Sequence, residues 1–255
     1  MRLIINGDDF GLTEGVTNGI IKGIKEGIIT DTSALANSDY FFDAAILAKE
    51  EGILSMGVHL TITFLKPVLK GLKNIVDKDG YFYRKPVLIP VPYDYIEIEN
   101  ELRSQIEKFL STGLKLNHLD THHIFSIMDE KIFKIVVKLA KEYNVPIRRD
   151  FSLCDNEEHL FDIARENNIN TTDILLFQSG KVVTKEYIIK NIEKYKNEGD
   201  ITIELLAHPG FVDEKLKGVS SLTYNREREL EVYLDSEIKE YINKNNVNLI
   251  SYSNL

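Results

Sequence analysis

Cysteine and long apolar segments are nearly absent from this chain. Its 255 residues include a single cysteine, Cys154. One thiol cannot form an internal disulfide, and it cannot supply a cysteine-rich structural zinc site. No apolar stretch approaches the roughly 20 residues that a membrane-spanning helix needs, and no charged segment with a long apolar core follows the first methionine. These absences predict a soluble, cytoplasmic protein without a membrane anchor.

Positive charge is also scarce relative to negative charge. Lysine and arginine total 31, whereas aspartate and glutamate total 40, which gives a formal net charge of −9. A surface with this balance repels phosphate backbones and anionic lipid headgroups. The composition therefore argues against nucleic acid and membrane surfaces as partners.

Strand-like and helix-like segments alternate along nearly the whole chain. The hydrophobic pattern predicts strands at residues 2–6, 30–37, 55–63, 117–121, 146–148, 173–177, 201–207 and 247–251. It predicts helices at residues 14–27, 39–51, 96–110, 130–143, 157–167, 184–197 and 225–244. Thr13 is the expected N-cap of the first helix, and Gly27 is its expected end. Such alternation is typical of a parallel sheet, and seven or so repeats without a linker favour a closed or nearly closed α/β barrel.

The alternation is interrupted by an excursion at residues 64–95. Four prolines forbid regular structure through most of it, and tyrosine and phenylalanine are frequent within it. A connection of this length is usually functional or disordered, and the aromatic content argues against disorder. We expect one domain over residues 1–255, with the excursion as an ordered insertion that acts as a lid.

Two adjacent carboxylates, Asp8 and Asp9, follow the first predicted strand. Each raises the cost of ionising the other, and a nearby cation or reacting proton removes that conflict. In a regular strand the two side chains would point to opposite faces, so a turn must break the alternation if both reach one site. A role as turn and cap residues is the simpler alternative.

Five of the six histidines lie within or at the end of predicted strands: His59, His118, His122, His123 and His208. Because active sites of parallel α/β folds gather at the carboxyl ends of strands, most of these side chains are expected to converge there with the two aspartates. Structural roles remain the alternative, particularly for His118 and for a core His59. His159, on a polar helix, is expected to be exposed.

One carboxylate and two imidazoles form a suitable ligand set for a catalytic divalent metal, and Asp9, His59 and His122 supply that count. Strand alternation places Asp120 on the same face as His122, with His123 on the other face. Asp120 is therefore a candidate to orient a metal-bound imidazole from behind.

Four segments in order resemble the YdjC-like carbohydrate deacetylases, whose best-known activity is chitooligosaccharide deacetylase. They are NGDDFGL at 6–12, GVHLT at 57–61, HLDTHH at 118–123 and AHPGF at 207–211. The resemblance spans most of the chain. It implies an incomplete or distorted (β/α) barrel of the polysaccharide-deacetylase (NodB-like) kind, and an enzyme of carbohydrate degradation that hydrolyses the N-acetyl group of a sugar.

The resemblance also implies roles for particular residues. A divalent metal, Mg²⁺ or Zn²⁺, would be held by Asp9, His59 and His122. Asp8 would be the general base and His208 the general acid, on the expectation that ionised aspartate and protonated histidine coexist near neutral pH. The two imidazoles favour zinc or another transition metal over magnesium, which prefers oxygen ligands.

Other implications of the resemblance concern the surroundings of the site. Arg148 matches a family position near the site and is expected to contact a carboxylate or the substrate. Phe125 stands where the family often has a further histidine, a difference expected to affect substrate shape rather than the metal. Family members are often homodimers. The excursion is expected to select the acetylated sugar by aromatic stacking.

Three other functions are compatible with parts of this pattern. A barrel metallo-phosphoesterase acting on sugar phosphates would use similar ligands. Two histidines and one carboxylate also form the triad of non-haem iron oxygenases, although the βα alternation argues against it. A non-catalytic oligosaccharide-binding regulator with a structural metal would not need a base and an acid beside an open metal position.

Overall fold

A computed structural model describes residues 1–178 and 181–255 of the protein. The strands are β1 (Arg2–Phe10), β2 (Asp31–Ala34), β3 (Ser55–Leu60), β4 (Lys115–Thr121), β5 (Ile174–Leu176), β6 (Thr202–Ala207) and β7 (Asn248–Leu249). The helices are α1 (Glu14–Glu26), α2 (Phe41–Glu50), α3 (Tyr95–Leu110), α4 (Glu130–Tyr143), α5 (Glu157–Glu166), α6 (Lys185–Tyr195), α7 (Glu214–Val219), α8 (Tyr224–Tyr233) and α9 (Ser236–Lys244). Short 3-10 segments lie at Pro86–Leu88, His122–Met128, Asp150–Leu153 and Tyr252–Asn254.

The described strands form one parallel sheet in the order β4-β3-β2-β1-β6-β5, and β7 pairs with the start of β1. In this order β4 and β5 are the two edges and do not pair with each other. Between them, Ile147 forms a single bridge to Leu119 and donates its N–H to the carbonyl of Asn170. The sheet therefore stops short of a closed barrel, which confirms the expected incomplete barrel.

Two predicted elements were wrong. Residues 146–148 form only the bridge at Ile147, because the chain passes the open gap of the sheet rather than entering it. The predicted helix at 225–244 is divided into α8 and α9 at Asp235, whose side chain accepts a hydrogen bond from Glu237 N and so caps a new helix. An aspartate at an N-cap competes with helix continuation in this way. The short helix α7 was not predicted.

Helix α1 begins and ends where the sequence predicted. The Thr13 side chain accepts a hydrogen bond from Val16 N, and the Gly27 N–H bonds the carbonyl of Gly23. Its inward face buries Val16 and Ile20 completely. Each such side chain contributes about 1.5–3 kcal/mol by leaving water. The helix is thereby fixed against β1, which carries the aspartate pair.

Two glycines of α1 allow the loop after β6 to approach closely. A Cβ atom at Gly19 would lie 2.5 Å from the Cα of Gly210, and one at Gly15 would lie 2.6 Å from the carbonyl oxygen of Phe211. Phe211 N in turn donates to the carbonyl of Gly15. The small residues therefore position the segment that contains His208.

The long connection between β3 and α3 is held by buried polar contacts. The Glu101 carboxylate accepts hydrogen bonds from the N–H groups of Val68 and Leu69. Ile75 and Phe82 are buried against the main core. Its role as a lid stays a prediction. Among the described helices, none combines the length and the apolar character needed to span a bilayer.

Candidate active site

The end of β1 is irregular at the aspartate pair. The register with β2 shifts between Gly7 and Phe10, and Asp9 has a φ of 71°. Aspartate tolerates this left-handed conformation better than most side chains, and a bulge re-aims the residues beside it. As a result, His59 Nε2 lies 3.8 Å from Asp8 Oδ2 and 3.7 Å from Asp9 Oδ1. The alternation is broken, and both carboxylates face one site.

Three ligand atoms converge where β1, β3 and β4 end: Asp9 Oδ1, His59 Nε2 and His122 Nδ1. His122 Nδ1 lies 3.4 Å from Asp9 Oδ1 and 3.3 Å from His59 Nε2, which completes a triangle with the 3.7 Å contact between Asp9 and His59. Ligands bound at zinc distances lie about 3.3–3.6 Å apart at a tetrahedral angle. Asp9 Oδ1 is buried and makes no hydrogen bond within the described part of the chain. The predicted ligand set therefore fits a divalent cation.

The charges around this triangle also fit a cation. Four buried carboxylates contact two buried guanidinium groups: Asp8, Asp120 and Glu204 contact Arg148, and Asp9 contacts Arg226. With neutral imidazoles the formal charge of this cluster is −2. A divalent ion would neutralise it, and burying uncompensated charge is costly.

The pKa of His59 responds to the same excess of negative charge. Burial opposes protonation, but Asp120 and Asp8 raise the pKa of His59 to about 9. Its Nδ1 lies 2.8 Å from Asp120 Oδ1, and Asp120 Oδ2 accepts a hydrogen bond from Ser33. This carboxylate fixes the ring so that Nε2 faces Asp9, as a carboxylate behind a metal-binding histidine does. A metal would displace the Nε2 proton.

Arg148 connects the carboxylates. Its two Nη atoms each donate to one oxygen of Asp8 at 2.7 Å, and Nη1 also lies 2.9 Å from Asp120 Oδ2. Its Nε donates to Glu204 Oε1 at 2.8 Å, and the Tyr252 hydroxyl donates to the other oxygen of Glu204. Such a fork restrains the orientation of a carboxylate more strongly than a point charge does. Arg148 therefore contacts carboxylates, one of its two expected partners.

Strand alternation predicted that His123 points away from His122. This prediction was wrong. The chain leaves β4 at Thr121, and His123 takes a left-handed conformation with a φ of 55°. The two imidazole centroids are 4.0 Å apart, and His123 Nδ1 lies 3.1 Å from Thr63 Oγ1. Desolvation lowers the pKa of both rings, that of His123 to about 3. Both imidazoles are therefore neutral at pH 7.

His208 follows β6 on a loop that α8 holds. Its backbone N–H donates to Glu229 Oε2 at 2.8 Å, and Gly210 N donates to the carbonyl of Arg226. Desolvation lowers the pKa of His208 to about 4, against the opposing effect of Asp8 and Asp9. The expectation that His208 is protonated near neutral pH is therefore wrong for the site without substrate.

Two cavities open onto this cluster. The larger has a volume of about 530 Å³ and reaches Asp9, His122 and His208. Its outer part is lined by Arg84, Lys85 and Lys217. The smaller has a volume of about 180 Å³ and reaches Asp8, His59 and His208, with apolar walls that include Leu206 and Leu222. The arrangement offers a carboxylate, imidazoles and a candidate metal position to a ligand of modest size.

Two further histidines lie outside the ligand triangle of Asp9, His59 and His122. His118 is fully buried and stacks on Tyr252 with ring centroids 3.9 Å apart, in agreement with the structural role expected for it. His159 is half exposed and bonds Glu130 at 3.1 Å. Phe125 is completely buried in the main core.

Sequence reasoning missed three residues that shape the site: Glu204, Arg226 and Tyr252. Glu204 had a usable signal, because a charged residue in the otherwise apolar strand β6 must find a buried partner. Arg226 lies in a highly charged helical stretch, and Tyr252 lies near the end of the chain. Neither sequence context distinguishes a buried residue from an exposed one.

The fold and the site together define a class. This chain is an incomplete (β/α) barrel protein with a candidate divalent-metal centre where its strands end. It belongs to the YdjC-like protein family, whose model matches residues 2–244, and this confirms the resemblance seen in the four sequence segments.

Relatives of known name share the whole length of the chain. A Clostridium beijerinckii protein named carbohydrate deacetylase is 36% identical over 260 residues, which cover all of both chains. A crystal structure from Enterococcus faecalis, provisionally described as a cellobiose-phosphate cleavage protein, has a TM-score of 0.92 at 31% identity and covers 99% of this chain and 98% of that one. A peptidoglycan N-acetylglucosamine deacetylase has a TM-score of 0.50 at 13% identity and covers 98% of this chain and 85% of its own, a likeness that concerns the fold.

Proposed function

We propose that the protein is a metal-dependent hydrolase that removes the N-acetyl group from an acetylated mono- or oligosaccharide of the chitooligosaccharide kind. The products are acetate and an amino sugar. The observation that supports this most directly is the triangle of Asp9 Oδ1, His59 Nε2 and His122 Nδ1 beside Asp8 and His208. Full-length relatives named carbohydrate deacetylase support the same class of reaction.

The metal would be held by Asp9, His59 and His122, and it would supply Lewis acidity at the acyl carbonyl and at the attacking water. The two nitrogen ligands favour zinc over magnesium. The smaller cavity, with its apolar wall at Leu206 and Leu222, is suited to the acetyl methyl group. The larger cavity has room for sugar rings.

Asp8 and His208 move the two protons of the reaction. Asp8 takes a proton from water as the water oxygen bonds to the acyl carbon, and the π pair moves onto the acyl oxygen. That pair then returns, the C–N bond breaks, and His208 donates a proton to the departing amine nitrogen. Arg148 holds both oxygens of Asp8, so the carboxylate is oriented before water arrives.

Metal removal and a substrate screen test this proposal. Acetate release from N-acetylated mono- and disaccharides should cease with EDTA and should return with zinc more fully than with magnesium. Metal should also raise the free energy of unfolding, by about 2.7 kcal/mol at 100 times its Kd. Calorimetry checks the second result without any substrate. Absence of acetate from every substrate with every metal would refute the proposal.

The pH dependence of kcat/KM tests the acid role of His208. Only a protonated imidazole can donate, and the pKa of this group is lowered to about 4. As pH rises above that value the protonated fraction falls, so kcat/KM should drop about tenfold per unit between about pH 6 and about pH 8. His208→Asn should remove this slope. A flat profile in the parent enzyme, measured at constant metal occupancy, would place the proton donor elsewhere.

A phosphoesterase acting on sugar phosphates is the second candidate. Arg84, Lys85 and Lys217 line the outer cavity of an otherwise acidic protein, and such groups suit a phosphate. Release of inorganic phosphate without acetate would favour it. A non-catalytic binding protein is less compatible with an acid and a base beside the ligand triangle.

The proposal extends to the organisation of the protein. We propose one catalytic domain over residues 1–255, with the connection at 64–95 as its lid, and a cytoplasmic homodimer as implied by the family. Light scattering of the purified protein measures the oligomeric state directly.

A further inference from the structure

Arg226 is a buried cation with one nitrogen, Nη1, that has no hydrogen-bond partner among the described residues. It lies on α8 and is 2% exposed. Its Nε donates to the carbonyl of Leu222 at 3.1 Å, and its Nη2 donates to Asp9 Oδ2. Its Nη1 is also buried and makes no hydrogen bond with the described residues. Arg226 lines the larger cavity together with Asp9, His122 and His208.

An unpaired buried donor is costly, by about 1–3 kcal/mol for a neutral group and more for a charged one. At Arg226 the cost falls on Nη1 alone, because Nε and Nη2 both have hydrogen-bond partners. A ligand oxygen that enters the cavity beside Arg226 can supply the missing partner. Because the guanidinium is held at Nε and at Nη2, the direction of the free N–H groups is fixed before a ligand binds.

We propose that Arg226 is a catalytic residue of the deacetylation. Nη2 holds Oδ2 of Asp9 and so orients the carboxylate, and Nη1 donates a hydrogen bond to the acyl oxygen as the C–O π pair moves onto it. This inference rests on the proposed function, and it names the donor that assists the metal at that oxygen. The same contact would hold the acetate product, whose oxygens retain the negative charge.

The contact would act mainly in the transition state. The acyl oxygen of an amide is neutral in the substrate and becomes anionic when water adds, so a fixed cationic donor gains most at that point. Loss of one such donor typically lowers kcat by about 10²–10³-fold. The other cavity cations belong to the outer wall, whereas Arg226 directly contacts Asp9.

Arg226→Gln and Arg226→Lys test the role, with Arg228→Gln as the matched control. Arg228 lies two residues away on α8 and is exposed, so its replacement removes the same charge outside the cavity. Arg226→Gln should lower kcat by about 10²–10³-fold with little change in KM. Arg226→Lys keeps the charge, but an ammonium group cannot donate to Asp9 and to the acyl oxygen in the planar geometry of a guanidinium. Its kcat should therefore stay at least about tenfold below that of the parent. Arg228→Gln should behave as the parent.

Binding of acetate and of zinc separates this role from simple support of Asp9. Calorimetry with the zinc-loaded protein should show acetate binding at least about tenfold weaker in Arg226→Gln than in the parent. Zinc affinity should be retained, because losing a nearby cation does not disfavour a metal ion electrostatically. If Arg226→Gln does not fold, Arg226→Lys must show the weakened acetate binding with zinc retained.

The outcomes separate two failures. An active parent enzyme with an Arg226→Gln variant of unchanged kcat and acetate affinity would overturn the role of Arg226 and leave the deacetylase proposal standing. A loss of kcat explained entirely by loss of zinc would also overturn it, since Arg226 would then only support Asp9. A parent enzyme that releases no acetate would overturn both proposals.

Discussion

Asp8→Asn is expected to lower kcat for acetate release by about 10³-fold, because the variant cannot take a proton from water. Zinc binding should persist, since Asp9, His59 and His122 are unchanged. The measurement is steady-state acetate release together with zinc affinity by chelator competition. An active Asp8→Asn enzyme would remove Asp8 from the base role.

The control for Asp8→Asn must account for Arg148. Asp8 accepts two hydrogen bonds from Arg148, so an amide at this position also perturbs a buried ion pair. Asp150→Asn is a matched change at another buried aspartate, which accepts a hydrogen bond from Thr121. Burial raises the pKa of Asp150 to about 7, so an amide resembles its protonated form below that pH. Asp150→Asn should keep activity near that of the parent.

Arg148→Met is expected to cause the largest loss of stability. It leaves Asp8, Asp120 and Glu204 buried without their shared cation. Breaking one buried pair in this way typically costs about 3–5 kcal/mol. The free energy of unfolding, measured by urea titration, should fall by at least that amount near neutral pH. A loss below about 1 kcal/mol, the range of a surface ion pair, would contradict this account of the cluster.

The loss in Arg148→Met should depend on pH with a definite sign. Burial alone would raise the pKa of Asp120, and Arg148, followed by His59, lowers it well below its usual range. Without Arg148 the folded-state pKa of Asp120 would rise, because burial would then be opposed mainly by His59. The variant would then lose stability relative to the parent as pH rises, and the difference should shrink toward about pH 5.

Arg149→Met is the matched control for this measurement. Arg149 is the next residue in the chain, but its partner Glu157 is partly exposed, and their contact is 3.0 Å. Solvent-screened pairs contribute about 0–1 kcal/mol. Its guanidinium also lies over the Phe161 ring, and a cation–π contact of this kind contributes about 0.5–1 kcal/mol at an exposed site. The variant should therefore unfold close to the parent at every pH.

Local sequence features predicted the elements well wherever the deciding contacts were local. The Thr13 cap, the end of α1 at Gly27 and the alternation of strands and helices depend on residues close in sequence. The helix break at Asp235 was missed although its signal is local, because the charged pattern of the surrounding helix continues across it. Residues 146–148 have strand-like composition, but their pairing depends on a distant gap in the sheet.

The residues of the candidate site also divide into those predicted from the sequence and those that only the structure revealed. Asp9, His59 and His122 were proposed from residue type and from the rule that strand ends converge, and the structure brings their ligand atoms together. The predicted orientation of His123 was wrong, because the prediction assumed that β4 continued past Thr121. Arg226 could not be found, since only the tertiary structure, with α8 packed on α1, shows that its guanidinium meets Asp9.

By itself, the sequence determined that the chain forms parallel βα units and carries two carboxylates and several imidazoles at the ends of strands. It also determined the family, because four short segments occur in the family order. Only the tertiary structure decided that both aspartates face one site, through the left-handed turn at Asp9, and that Arg148 and Arg226 neutralise them. The physical reason is that backbone irregularity and buried charge pairing are set by contacts between distant residues, and these distances have no local signature in the chain.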